Sequence, residues 1–172
     1  AMLDVLIPFM VFDDPVLVMK RELLWYPGLG WYALKTRMLA IDRTGGAKTM
    51  KKMLSAAQTR VRDEHRQMLI YPEGTRLPPG SKPRYKPAGL RAFYISLAVP
   101  RVPFATNSGL CWPARGMIRR PGTVVYEVLP ALPEDLNPRD MVIEVEARLE
   151  AASERLLEEG LAVQGRSRAD LQ

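Results

Sequence analysis

Met68-Leu69-Ile70-Tyr71-Pro72-Glu73-Gly74-Thr75-Arg76 runs from a short apolar stretch into a loop rich in proline and basic residues that lasts to Pro87. Residues 68–71 have the length and composition of a strand closed by a turn signal. From 87 to 98, Leu90, Phe93, Tyr94 and Leu97 recur at helical spacing, with Pro87 suited to a first helical turn. The same alternation continues in both directions. Strand-length runs occur at residues 16–19, 38–41, 102–105 and 123–129. Over 45–62, Met50, Met53, Leu54, Ala57 and Val61 fall on one helical face, and Lys48, Lys51, Lys52, Gln58 and Arg62 take much of the rest. Asn137-Pro138 reads as cap and first turn of a last helix, with Val142, Val145, Leu149, Ala152 and Leu156 on one face and Gly160 as its stop. Strand, helix, strand, helix, strand in that order predicts βαβ units. The expected fold is α/β, a single layered domain with a mostly parallel central sheet flanked by helices. The strand within 123–129 is expected to be well buried. Residues 1–160 form the predicted domain, and residues 161–172, without a sustained apolar pattern, a flexible tail.

The chain has 172 residues, enough for one domain with a real core. Hydrophobic residues make up 47% and charged ones 26%, which excludes wholesale disorder. The longest apolar run, 5–12, is broken by Pro8 and is far short of the roughly 20 residues of a membrane-spanning helix. No basic-then-apolar leader is read at the start. A single cysteine, Cys111, forms no internal disulfide, and one histidine with one cysteine excludes a His/Cys zinc site. These features predict a metal-poor, cytosol-facing domain. Residues 1–133 carry 20 basic and 9 acidic side chains, whereas 134–160 carry 3 and 9. A basic body with an acidic end suits an anionic partner: nucleic acid, an anionic lipid surface or a phosphorylated small molecule. A merely solvated basic surface fits as well, and charge alone does not choose.

The loop after residue 71 has the outline of an anion cradle beyond the carboxyl end of a strand, where α/β folds place ligand sites. Gly74 permits close backbone approach, Thr75 offers a hydroxyl, and Arg76 presents a planar fork to two oxygens. Glu73 is an acceptor for a substrate hydroxyl or for Arg76. Lys82, Arg84 and Lys86 follow. Charge-assisted hydrogen bonds contribute roughly 1.5–3 kcal/mol each, so two or three anchor a phosphate. The bland alternative is a turn in which Glu73 and Arg76 simply pair, and the loop alone balances the two.

The neighbouring blocks break that balance. Tyr71–Arg76 resembles the Phe-Pro-Glu-Gly-Thr-Arg signature of the glycerolipid acyltransferases. Ile41-Asp42-Arg43 is similar to the family's preceding block, Tyr85-Lys86-Pro87-Ala88-Gly89 to its Lys-Pro-Gly element, and Val99-Pro100-Arg101-Val102-Pro103 to its Val-Pro-x-x-Pro block. Lys20-Arg21-Glu22-Leu23 with Gly30-Trp31-Tyr32 resembles the link between the first blocks. Order and spacing agree over about residues 4–114. The helix beginning at Pro138 adds little.

The resemblance implies transfer of a fatty acyl group from coenzyme A or acyl carrier protein to the hydroxyl of a lysophospholipid, with no metal or organic cofactor. It implies a His-x-x-x-x-Asp motif in which His is the general base and Asp orients and charges it, the hydroxyl attacking the thioester directly. Ala1-Met2-Leu3-Asp4 matches only the end of that motif. Asp4 is therefore the expected orienting carboxylate, and a truncated start is expected, with the His two places before Ala1. Asp4 also suits a helix cap. Since general-base catalysis is worth about 10²–10⁴-fold, the chain as given is expected to be nearly inactive. Carried over position by position, Glu73, Gly74, Thr75 and Arg76 bind the glycerophosphate of the acceptor, Arg43 is a second phosphate ligand and Lys86 a third. The implied product is phosphatidic acid from 1-acylglycerol-3-phosphate. Another lyso-lipid such as a lyso-ornithine lipid, or a non-catalytic lipid-binding module, are the alternatives. A nucleic-acid-binding domain accounts for the charge but not for the motifs.

His65, in Asp63-Glu64-His65-Arg66, lacks an Asp four residues on and reads as an exposed turn residue. Cys111 reads as a small buried hydrophobe. Trp25, Tyr26, Trp31 and Tyr32 suit either a membrane interface or ordinary core packing. Lys48, Lys51 and Lys52 suit anionic head groups or a solvated face. The resemblance places the protein at the cytoplasmic side of the inner membrane, peripheral or anchored through preceding residues.

Overall fold

The computed structural model describes residues 3–42, 45–113 and 118–171. The chain has an α/β fold in which a small parallel sheet is flanked by helices. Its contacts gather into two compact units, Pro8–Tyr71 with Ala92–Ala98, and Ala1–Ile7 with Pro72–Arg91 and Val99–Gln172.

The first unit contains α1 (Pro8–Val11), β1 (Val16–Lys20), α2 (Leu29–Lys35), β2 (Leu39–Ile41), α3 (Gly46–Gln58) and β3 (Met68–Leu69). The strands order β2-β1-β3, all parallel, with Val18 beside Leu39 and Val16 beside Met68. The predicted βαβ pattern is therefore realised here. Val16, Leu39, Met53, Ala57 and Leu69 are buried in this unit, together with Phe93 and Leu97 from the end of α4 (Pro87–Leu97). Arg62 donates twice to the carbonyl of Leu97, at 3.0 and 2.8 Å, and Gln58 to that of Ser96, at 3.0 Å, joining the ends of α3 and α4.

Three helix-to-strand reversals enter this sheet through left-handed residues: Asp14 (φ +47°) before β1, Arg37 (φ +56°) before β2 and His65 (φ +54°) before β3. Arg66 locks them together. Its guanidinium, buried beside these turns, pairs with Asp14 at 2.8 Å and donates to the Thr36 carbonyl at 2.9 Å. A buried cation must be paired, and here the partners fix the starts of all three strands. His65 is an exposed turn residue, as expected.

The second unit carries β4 (Phe104–Thr106), α5 (Ser108–Cys111), β5 (Tyr126–Val128) and α6 (Pro138–Val163). The last two predicted strands do not extend the parallel sheet. They form their own antiparallel pair, with Phe104 opposite Val128, Ala105 opposite Glu127 and Thr106 opposite Tyr126. β5 is also not the well-buried strand the sequence suggests. Ala105, Ala152 and Leu156 pack on one side with Val125 and Leu129, whereas Val128 is exposed. A two-stranded ribbon covered on one face leaves every second residue outside.

Asn137 caps α6 by accepting from the amides of Arg139 and Asp140 at 3.0 and 2.9 Å, with Pro138 in the first turn, as predicted. Gly160 does not stop the helix. The helix runs on to Val163 and reverses at Gly165 (φ +62°), where the amide of Arg166 donates to the Leu161 carbonyl at 3.0 Å. Gly160 instead lets α6 approach α5: a Cβ there would lie 2.5 Å from Leu110 Cδ1. Leu110, Leu157 and Leu161 form the adjoining cluster, with Leu171 against it. Arg168 pairs with Glu154 and Glu158 on α6.

Candidate functional site

Asp4 lies in a 3-10 turn, Leu3–Val5, closed by amides of Leu6 and Ile7 donating to the Leu3 carbonyl at 2.9 Å. So short a turn cannot fix a side chain by itself. The fixing comes from the β4–α5 corner and from β5. Ser108 Oγ donates to Asp4 Oδ1 at 2.5 Å and the Tyr126 hydroxyl donates to the same oxygen at 2.9 Å. Ser108 is only 1% exposed. Its backbone amide donates to Thr106 Oγ1 at 3.0 Å. The buried Asn107 amide accepts from the Val125 amide at 2.8 Å and donates to the Thr123 carbonyl at 3.3 Å, tying the corner to the segment entering β5. Burial pushes the Tyr126 phenol well above its ordinary value. The Asp4 charge and the hydrogen bond to Asp4 add to that, while bonds from Ser108 and Thr106 oppose it. Tyr126 therefore stays a donor throughout the working pH range.

Glu73 belongs to the same unit as Asp4. Burial, then the negative charges of Glu150 and Asp4, raise its carboxyl above the usual carboxylate range. The loop that begins with it is closed at its base, the Lys86 amide donating to the Pro72 carbonyl at 2.8 Å. Gly74 takes φ +62°, the left-handed conformation that the signature glycine supplies without strain. Tyr85 anchors the far side of the loop by donating to Glu150 Oε1 on α6 at 2.8 Å. Burial, followed by that bond and the Glu150 charge, pushes the Tyr85 phenol up as well.

Thr75, Arg76, Lys82, Arg84 and Lys86 are exposed on this loop. The loop's cations are thus exposed, whereas its carboxylate is half-buried and feels the Asp4 charge after that of Glu150. Arg43 lies outside the described residues. Among the described residues there is no cluster of three metal-ligating side chains. Cys111 is buried, and burial pushes its thiol up, as a packing residue requires.

Ser108, Tyr126, Tyr85 and Glu150 are absent from the sequence-derived set. Thr106-Asn107-Ser108 carries a legible signal, since three polar residues close an apolar strand just before Gly109-Leu110. Tyr126 and Glu150 carry none, because only the antiparallel pairing and the path of α6 bring them here.

The chain matches the family described as Acyltransferase over residues 1–107. It is 31% identical over 140 residues to a Pseudomonas aeruginosa protein named 1-acyl-sn-glycerol-3-phosphate acyltransferase, a match covering 81% of this chain and 54% of that one. Proteins of the same name from Limnanthes alba and Cocos nucifera are 29% identical over 120 residues and 24% over 131, covering 69% and 76% of this chain and 42% of each relative. The chain thus spans about half the length of the curated relatives it matches. No solved structure matches it.

Proposed function

On the premise that this chain belongs to the glycerolipid acyltransferase family, we propose that its protein acylates the free hydroxyl of 1-acylglycerol-3-phosphate from an acyl thioester, acyl-CoA or acyl carrier protein, giving phosphatidic acid. The observation that carries the reading is the gathering of Asp4 and Glu73 into one compact unit. They come from two separate blocks of the motif series; Asp4 is held by Ser108 and Tyr126, and its charge adds to burial and the Glu150 charge in raising the Glu73 carboxyl. In the proposed reaction an imidazole two places before Ala1, oriented by Asp4, takes the proton of the acceptor hydroxyl. The hydroxyl oxygen bonds to the thioester carbonyl carbon, the carbon–sulfur bond breaks, and the thiolate leaves with the proton returned from the imidazolium. Glu73 receives an acceptor hydroxyl, and Gly74, Thr75, Arg76, Lys86 and Arg43 hold the phosphate.

We further place the protein on the cytoplasmic face of the inner membrane. Trp25 is 83% exposed and Trp31 is 80% exposed, so core packing does not account for them. Tryptophan favours the membrane–water interface, and Lys48, Lys51 and Lys52, exposed in the same unit, suit anionic head groups. No helix among the described residues is long and apolar enough to cross a membrane.

The test is acyl transfer from labelled acyl-CoA to lysophosphatidic acid by the full-length protein. Asp4→Ala is expected to lower kcat by about 10²–10⁴-fold, and Glu73→Gln to raise the acceptor KM. Full activity in both variants, or a residue other than histidine at the position two before Ala1, sinks the mechanism.

A further inference from the structure

We propose that Ser108 and Tyr126 are positioning residues for the reaction, a paired clamp that holds the Asp4 carboxylate in the one orientation from which it can direct an imidazole. This rests on the role given to Asp4 above. The two hydroxyls approach one oxygen, Oδ1, from different elements, Ser108 from the first residue of α5 and Tyr126 from the first residue of β5. The Ser108 bond, at 2.5 Å, has the length of a charge-assisted O–H donor to a carboxylate, roughly twice as strong as a neutral one, and the Tyr126 bond, at 2.9 Å, that of an ordinary O–H donor. Two donors on a single oxygen fix both the side-chain torsions of Asp4 and the plane of its carboxylate. A 3-10 turn with two backbone bonds fixes neither.

The clamp is itself held rigidly. Thr106 faces Tyr126 across the ladder and accepts from the Ser108 amide, and Asn107 stitches the corner to the segment entering β5. A misplacement near 1 Å costs about 10²-fold in a site that depends on alignment, and this arrangement removes that freedom. The donors also share the carboxylate's negative charge. Their loss leaves more of that charge unshared on the carboxylate, which then stabilises the imidazolium more strongly and holds its proton to higher pH.

The variants are Ser108→Ala and Tyr126→Phe, the latter keeping the ring that lies 6.4 Å from Phe104. In the full-length protein, each is expected to lower kcat about tenfold with little change in the acceptor KM, and to move the acid limb of the kcat/KM pH profile upward. In an Asp4→Ala background neither is expected to cost anything further, because the group they position is gone. Thermal melting accompanies each assay, so that Tyr126→Phe reports on chemistry even where Ser108→Ala loosens the corner. The clamp is overturned by folded variants with wild-type kcat and pH profile, or by equal losses with and without Asp4. Loss of activity in Asp4→Ala with wild-type clamp variants removes the clamp alone. Retention of activity in Asp4→Ala removes the function proposed for Asp4 and the clamp with it.

Discussion

Gly160 in α6 faces Leu110 in α5 so closely that a methyl group on it would meet Leu110 Cδ1 at 2.5 Å and Asn107 Nδ2 at 3.0 Å. Both neighbours are buried, and Asn107 is part of the scaffold behind Ser108. Overpacking of this kind costs about 1–3 kcal/mol, while alanine gains about 1 kcal/mol in helix propensity. Gly160→Ala is therefore expected to destabilise by about 1 kcal/mol, lowering Tm by about 3 °C. Calorimetry checks it, and an unchanged or higher Tm refutes the packing role.

Glu73 makes stability depend on pH in a defined direction. Its folded carboxyl is raised by burial, Glu150 and Asp4, so the fold favours the protonated form. The resulting stabilisation is fully present below the ordinary carboxylate range and is lost as pH rises through the raised value. Glutamine imitates the protonated acid. Glu73→Gln is thus expected to melt with wild type at about pH 4 and above it at about pH 7.5, while acyl transfer falls. Equal melting at both pH values refutes the buried, like-charged setting.

His65 occupies a left-handed turn ahead of β3, a conformation that costs an L-residue about 1 kcal/mol. Glycine removes that strain, partly offset by its greater freedom when unfolded. His65→Gly is expected to stabilise by about 0.5 kcal/mol and to leave acyl transfer intact, although it deletes the only histidine among these 172 residues. Loss of activity with an intact fold gives His65 a role denied to it here.

Trp25 and Trp31 provide a test of membrane attachment. Each is expected to contribute about 1.5 kcal/mol to adsorption, so Trp25→Ser and Trp31→Ser each weaken binding to anionic vesicles roughly tenfold. Melting temperatures stay within a degree or so, because both side chains stand in solvent. Vesicle co-sedimentation measures the first effect, and undiminished binding by the double variant rules out this surface.

The elements with strong periodicity were readable from residues alone. α3, α4 and α6 start where the apolar stripes and Pro87 or Asn137-Pro138 place them, and β1, β2 and β3 fall on the short apolar runs. What was not readable depended on partners distant in sequence. The runs near 104 and 126 look like the others, and only their mutual pairing makes them an antiparallel ribbon. Gly160 carries the local mark of a helix stop, yet contact with Leu110 gives it another purpose. In the site, Asp4 and Glu73 were visible through motif resemblance. Ser108 and Tyr126 were hidden because a hydrogen bond spanning more than a hundred residues leaves no local pattern.

α2 turns its smallest residues inward. Gly30 and Ala33 are buried, and Gly30 sits so near the Leu24 carbonyl that no Cβ would fit, while Trp31 and Leu34 stand outside. The helix is seated by its main chain, by Ala33 and by Tyr32, whose ring lies 5.4 Å from that of Phe9, while Trp31 and Leu34 take no part in holding it there. Substitutions at Trp31 and Leu34 can therefore change what that outer surface presents without eroding the scaffold beneath.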